Sequence, residues 1–201
     1  MRSIYDFIIE PFDKRYDNEK VIDCGIVIIN TNVEDHKFIS KKAKVVKTPL
    51  AYNTPIKVGD EVYIHHNIFR RYYGMDGKEK NGSTYFKENL YFCGLDQIYL
   101  YKNNNEFKTN LDYCLVKPIR NQSSFETNKE EPLKGILKYT NPTLKKQGLL
   151  KDSLITFTPN SEFEFIVEGE RLYCMKSNNI ALQHEYEGNE EEYNPSWASC
   201  S

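Results

Sequence analysis

Leu90-Tyr91-Phe92-Cys93-Gly94-Leu95-Asp96-Gln97-Ile98-Tyr99-Leu100 recurs as Leu172-Tyr173-Cys174-Met175-Lys176-Ser177-Asn178-Asn179-Ile180-Ala181-Leu182. Both stretches read Leu-Tyr, a four-residue spacer, Asp/Asn and Gln/Asn, then Ile-x-Leu. Working outward, Ile8-Ile9-Glu10-Pro11-Phe12 matches Leu115-Val116-Lys117-Pro118-Ile119, and Asp60-Glu61-Val62-Tyr63-Ile64 matches Asp152-Ser153-Leu154-Ile155-Thr156. Three blocks in one order imply two copies of one small domain. Pro11 and Pro118 lie 107 residues apart, Asp60 and Asp152 92, Leu90 and Leu172 82. The first copy is therefore longer by 15 residues between its first two blocks and by 10 between its last two. These surpluses fall around Tyr16–Phe38 and Arg70–Ser83. A segment that one copy lacks is a candidate for function.

The chain of 201 residues has room for two domains of about a hundred residues each, enough for modest cores. A net charge of −2, with Lys and Arg interspersed among Asp and Glu, gives no reason to expect nucleic acid or a membrane surface as partner. Met1-Arg2-Ser3-Ile4-Tyr5-Asp6 contains no apolar signal core, and no apolar stretch approaches the roughly twenty residues of a membrane span. The expectation is a soluble, unsecreted, cytoplasmic protein. Its five cysteines, Cys24, Cys93, Cys114, Cys174 and Cys200, form no CxxC pair. An odd count, with Cys93, Cys114 and Cys174 inside apolar patterns, fits a reducing compartment.

Short alternating segments mark strands at Phe7–Glu10, Lys44–Val46, Glu61–His65, Asn89–Cys93 and Ile98–Tyr101. A second set follows at Tyr113–Lys117, Gly135–Tyr139, Ser153–Phe157, Glu162–Val167 and Arg171–Met175. Turn signals such as Thr54-Pro55, Val58-Gly59-Asp60, Asn141-Pro142 and Glu168-Gly169-Glu170 separate them. The pattern predicts an all-β chain of two tandem small barrels, residues 1–104 and 108–184, with an acidic flexible tail over 185–201. That tail carries the sole tryptophan, Trp197, as an alternative linear contact.

Within the first surplus, Val21 to Ile29 is apolar and lies between polar flanks, with Cys24-Gly25-Ile26-Val27-Ile28 at its centre. Taken alone the run reads equally as one more core strand. The second copy passes the same point with the polar Arg120–Asn128, so the shared domain does not require it. A β-branched run in a dispensable loop suits docking, by strand addition or by filling apolar pockets. Its residues 17–36 are expected to be mobile until bound.

Catalytic constellations are not evident, and no enzyme is expected. His65 and His66, adjacent on the predicted strand, would point to opposite faces, which argues against a shared metal ion and leaves a single ligand role for either, with Cys93 nearby, as the minor alternative. Gly74-Met75-Asp76-Gly77-Lys78 lacks the spacing of a phosphate-binding loop and reads as a hairpin tip. Ser83 and Ser153 lack the context of a nucleophile elbow.

In order and spacing, residues 6–101 resemble the GroES-type co-chaperonins. The stations are Phe7-Ile8-Ile9-Glu10, Gly25-Ile26-Val27-Ile28, Ala43-Lys44-Val45-Val46, Val58-Gly59-Asp60-Glu61-Val62-Tyr63-Ile64, Leu90-Tyr91-Phe92 and Asp96-Gln97-Ile98-Tyr99-Leu100. The second half looks like a diverged copy that keeps Gly135-Ile136-Leu137, Asp152–Phe157 and Asn178–Leu182 and has no Gly-Ile-Val-Ile loop. Tandem plastid relatives, by contrast, carry a loop in both halves. Cys24 stands where the family often has Gly, and Thr48–Lys57 is short for a roof hairpin.

The resemblance implies a homo-oligomeric ring, expected to have seven chains, that caps a chaperonin and assists protein folding. It implies docking through Gly25, Ile26, Val27 and Ile28, no cofactor, and ATP bound by the partner chaperonin alone. The Asn, Lys and Tyr richness suggests an AT-rich genome, as of a phage acting in its host's cytoplasm. The alternative expectation is a phage virion or assembly protein built from the same barrels. A GroES-like barrel also occurs in medium-chain alcohol dehydrogenases, but the G-x-G-x-x-G domain those require is missing here.

Overall fold

The structure, a computed structural model, describes residues 2–21, 27–29, 32–121, 129–185, 188, 190–196 and 198, with backbone alone at 20, 21 and 28. The chain divides into two compact units, Met1–Glu106 and Phe107–Ser201. Unit one contains β1 (Phe7–Pro11), β2 (Glu19–Val21), β3 (Val27–Ile29), β4 (Lys42–Lys47), β5 (Glu61–Ile64), β6 (Arg71–Tyr73), β7 (Glu79–Asn81), β8 (Tyr85–Lys87), β9 (Leu90–Cys93) and β10 (Ile98–Asn103). The chain crosses between the units within β11 (Glu106–Thr109). Unit two contains β12 (Tyr113–Arg120), β13 (Glu130–Tyr139), α1 (Pro142–Lys146), β14 (Leu154–Phe157), β15 (Phe163–Val167), β16 (Glu170–Lys176) and β17 (Ile180–Gln183). The fold is all-β apart from α1 and short 3-10 turns. Among the described residues no helix is long and apolar enough to cross a membrane.

Six strands of unit one pair in the order β10-β5-β4-β1-β9-β8, and six of unit two in the order β17-β14-β13-β12-β16-β15. Matched by position, the two orders are identical. Registers agree as well. Ile8 faces Phe92 and Ile9 faces Tyr91, while Leu115 faces Cys174 and Val116 faces Tyr173. Pro11 faces Ala43, as Pro118 faces Gly135. The β1–β4 ladder shifts register between Ile8 and Ile9, and β12–β13 shifts between the equivalent Leu115 and Val116.

One detail of the sequence alignment is corrected. Ala43 faces Val62 and Gly135 faces Ile155, so the middle blocks lie 93 residues apart rather than 92. Asp152 thus corresponds to Gly59, and both have positive φ, 67° and 92°. The Gly59 N–H donates to the Val45 carbonyl and the Asp152 N–H to the equivalent Leu137 carbonyl. Aspartate tolerates this backbone conformation better than most residues, which hid the shift behind two matching Asp letters.

Each sheet is curled, but hydrogen bonding closes neither into the barrel that the sequence suggested. β9 and β10 sit four strand spacings apart in the pairing order, about 19 Å if the sheet were flat. Only Gly94 and the 3-10 turn Leu95–Gln97, the turn about 6 Å long, join them. The sheet must therefore roll until its ends approach each other. Ser177–Asn179 imposes the same condition on β16 and β17.

The inner faces are equivalent position by position. Phe7, Ile9, Val45, Val62, Ile64 and Cys93 in the core of unit one become Cys114, Val116, Leu137, Ile155, Phe157 and Met175 in unit two. The facing pair Phe7–Cys93 is replaced by Cys114–Met175, and Phe157 supplies bulk where unit one has Ile64. Bulk is thus redistributed across the core, the kind of exchange that preserves packing.

At Gly135 a Cβ would press on Val116 Cγ1 and lie 2.5 Å from the Lys117 carbonyl oxygen, whereas unit one accommodates Ala43 at the matching position. Gly135→Ala is expected to lower the stability of unit two by about 1–3 kcal/mol in denaturant unfolding. Ala43→Gly should cost unit one only about 0.5–1 kcal/mol.

Candidate functional site

Both surpluses of unit one form two-stranded sheets of their own, β2–β3 and β6–β7, apart from the main sheet. Unit two has nine residues between β12 and β13 where unit one has 30 between β1 and β4. It has five between β14 and β15 where unit one has 20 between β5 and β8. The reading of Gly74–Lys78 as a hairpin tip holds: the Gly74 N–H donates to the Lys78 carbonyl, between β6 and β7.

In the β2–β3 hairpin Glu19 faces Ile29, Lys20 faces Ile28 and Val21 faces Val27. Val27 is 50% exposed and Ile29 56%. Alternation along the strand places both on one face. Of the residues proposed for docking, Val27 is thus an exposed aliphatic side chain, Ile28 stands on β3 beside it, and Gly25 and Ile26 lie outside the described residues. Ile29 escaped the motif reading because the run was matched to four letters and stopped at Ile28. Of fifteen large hydrophobic side chains exposed among the described residues, eleven belong to unit one.

The loop is shorter than its sequence bounds of 16–38. Tyr16, Val33 and Ile39 are buried in the core of unit one, and Phe38 packs against it. Tyr16 bridges to Ile39, and the Asp17 N–H donates to the Phe38 carbonyl at 2.8 Å. The expected mobile stretch, residues 17–36, is therefore anchored inside its own bounds at Val33. Its feet were misjudged because the copy comparison counts residues and cannot tell which inserted side chains turn inward.

The two insertions are also joined. The Tyr16 hydroxyl donates to the Val33 carbonyl and accepts the Arg71 N–H, each at 2.8 Å. Glu34 Oε1 accepts the Tyr73 N–H at 3.2 Å, and its other oxygen lies 3.9 Å from the Arg70 guanidinium. Arg15 donates to the Phe69 carbonyl at 2.7 Å, to the Arg70 carbonyl at 3.3 Å and to Asn81 Oδ1 at 2.6 Å. Its guanidinium lies 5.0 Å from the Tyr91 ring centre. The Arg71 guanidinium lies 4.5 Å from the Tyr16 ring centre.

His65 and His66 do not point to opposite faces. β5 ends at Ile64 and a 3-10 turn begins at His66, so the two rings stack with centres 4.3 Å apart. His36, on the arm returning from the hairpin, approaches His66 at 5.4 Å. Burial, with His65, His36, Lys41 and Arg70 adding positive charge, holds His66 at about 4, and burial also lowers His65. Among the described residues no His, Cys, Asp or Glu cluster is arranged to hold a metal ion. Cys93, Cys114 and Cys174 are buried free thiols; burial pushes Cys114 up to about 12, and raises the other two well above the ordinary range. Such thiols are poor nucleophiles at neutral pH.

Among the described residues of the acidic tail, Glu191 to Asn194 are held against the rest of unit two. The Arg120 N–H donates to the Glu191 carbonyl at 2.7 Å and the Tyr193 N–H to the Pro118 carbonyl at 2.9 Å. Lys117 pairs with Glu192 at 2.7 Å, and Arg120 with Glu191 at 3.2 Å. The Asn194 side chain accepts the Arg171 N–H and donates to the Gly169 carbonyl. Composition suggested flexibility, but the charges meet partners on β12 that lie far away in sequence. Trp197 lies outside the described residues.

Against known proteins, the sequence matches no family model and no curated protein.

Because His66 binds its proton less readily when folded, its contribution to stability is complete above about pH 6.5. It is lost as pH falls toward about 4, where the unfolded chain takes up a proton that the folded chain refuses. The thermal midpoint is expected to fall over that window, and His66→Gln should flatten the decline.

Proposed function

We propose that this chain is a co-chaperonin of the GroES type, which caps an ATP-hydrolysing chaperonin ring and docks through the β2–β3 hairpin. The carrying observation is that an apolar hairpin, with Val27 and Ile29 exposed, stands outside the main sheet of one unit. The other unit builds the same six-stranded order without the chain length for one. In this reading Ile26 and Ile28 act with Val27 and Ile29, and Gly25 allows the run to bend onto its groove. Each unit contributes a GroES-like barrel, one docking hairpin serves each chain, and a ring of seven chains presents one to each chaperonin subunit. The work is binding, with ATP held by the partner.

Burying Val27 or Ile29 returns roughly 1.5–3 kcal/mol. Ordering free chain costs about 1–2 kcal/mol per residue for the backbone. The β2–β3 pairing has already met part of that cost, and several hairpins on one ring raise avidity without new contacts.

The test is the double variant Val27→Ser/Ile29→Ser. Its folding free energy should change by no more than roughly 0.5 kcal/mol, as for exposed sites. Co-sedimentation with a chaperonin in the presence of ATP is expected to fall at least tenfold. Light scattering of the wild type should report a ring. A monomer at micromolar concentration, or undiminished co-sedimentation by the variant, would overturn the proposal. A variant that fails to assemble with capsid components would favour the virion reading.

A further inference from the structure

Chain length and hydrogen bonding together link the two insertions. Unit two has too few residues for either hairpin, and unit one has both, fastened to each other at their bases. The contacts join main chain to side chain. Two consecutive odd-numbered N–H groups of β6, those of Arg71 and Tyr73, donate to Tyr16 and Glu34, one at each foot of the β2–β3 hairpin. Tyr16 also closes the feet on each other through the Val33 carbonyl. Tyr16 is 5% exposed, and its ring lies under the Arg71 guanidinium, which is itself paired with Glu79 on β7. Arg15, next to Tyr16, reaches the far strand of the second hairpin at Asn81. A loop that needed only to be long and mobile would have no use for this arrangement.

We infer that the β6–β7 hairpin is a buttress, and that Tyr16 is the positioning residue through which it holds the feet of the docking hairpin at a fixed spacing. Tyr16 contacts no partner. It acts by restricting the directions in which Val27 and Ile29 are presented, so that less freedom remains to be lost on docking. The effect on affinity rests on the docking role proposed above; the effect on hairpin motion does not.

Three variants separate these effects. Tyr16→Phe keeps the buried ring and removes the hydroxyl. Glu34→Ala removes the second clasp at an exposed position and tests the same idea if the first variant does not fold. Ile29→Ser changes the docking face and leaves the clasp intact. Amide hydrogen exchange is read for β2, β3, Arg71 and Tyr73 in the whole protein without partner, and chaperonin capture is read with ATP.

Tyr16→Phe and Glu34→Ala are expected to raise exchange at these amides about three- to tenfold and to weaken capture by a similar factor, the scale of one net hydrogen bond. Ile29→Ser should weaken capture and leave exchange unchanged. Unaltered exchange in β2 and β3 in both clasp variants would overturn the buttress. Faster exchange with full capture, while Ile29→Ser abolishes capture, would overturn the positioning role. If Ile29→Ser still captures normally, the docking reading fails, and exchange alone then decides whether Tyr16 holds the hairpin.

Discussion

Each unit rests on a turn too short for a flat sheet. Strands that lie far apart in the sheet are connected by four residues in unit one and three in unit two, so the sheet must roll and its inner face must become a core. The turn itself is specified locally: the Gly94 N–H donates to Gln97 Oε1 at 2.9 Å, and the Gln97 N–H to the Gly94 carbonyl at 3.1 Å. Across from it, the His65 N–H donates to the Gln97 carbonyl at 2.9 Å, fastening the end of β5 to the start of β10. That fixes where β5 stops. It also brings His65 and His66 into the turn, where their rings stack. The recurrence of this block in both copies reflects a geometric requirement: without this connection, β10 would not reach β5.

The duplication works as an internal control on what the fold needs. Unit two keeps six strands, their order, their registers and the position of a bulge, with nearly every inward side chain altered. Those features suffice for a core. Unit one adds two hairpins, and they affect the core unevenly. Tyr16, Val33, Ile39, Ile68 and Phe69, which flank the added strands, are buried with the shared residues, while Val27 and Ile29 are exposed. Unit two fills part of its own core with Leu144 and Leu149, from α1 and the turn after it. The insertion is therefore an anchored projection, with feet committed to stability and Val27 and Ile29 on β3 left exposed.

This division explains how much could be read from the sequence. Strand alternation is set by local pleating, so all ten strands anticipated from it are present; the start of β13, at Glu130 rather than Gly135, is displaced most. The chain-length difference between the copies located both hairpins, because inserted length has to go somewhere. What was illegible depended on partners remote in sequence. β5 ends where it does because the His65 N–H donates to the Gln97 carbonyl. The acidic tail lies against β12 because Lys117 and Arg120 happen to face it. Tyr16 holds the hairpin through a hydroxyl that meets a main-chain N–H 55 residues away. At the candidate site, the apolar run from Val21 to Ile29 was evident, but its exposed face was not. A period of two assigns Val27 and Ile29 to one face and leaves open which face meets solvent.

A hairpin held at its base gains affinity and loses reach. A free loop searches a large volume and orders only on contact, so its backbone entropy opposes every docking event. A rigid arm avoids that cost but must match the spacing of its sites, and on a ring each mismatch is repeated by every subunit. The geometry here lies between these limits. The clasp at Tyr16 and Glu34 fixes the base, the short β2–β3 ladder stiffens the arm, and a two-stranded ribbon, marginal by itself, can still bend. Because the clasp bonds to β6 and the feet are buried in the core, bending is left to the arm beyond them. The second insertion thus has a physical reason to accompany the first: it supplies, from β6, the N–H groups that hold the feet.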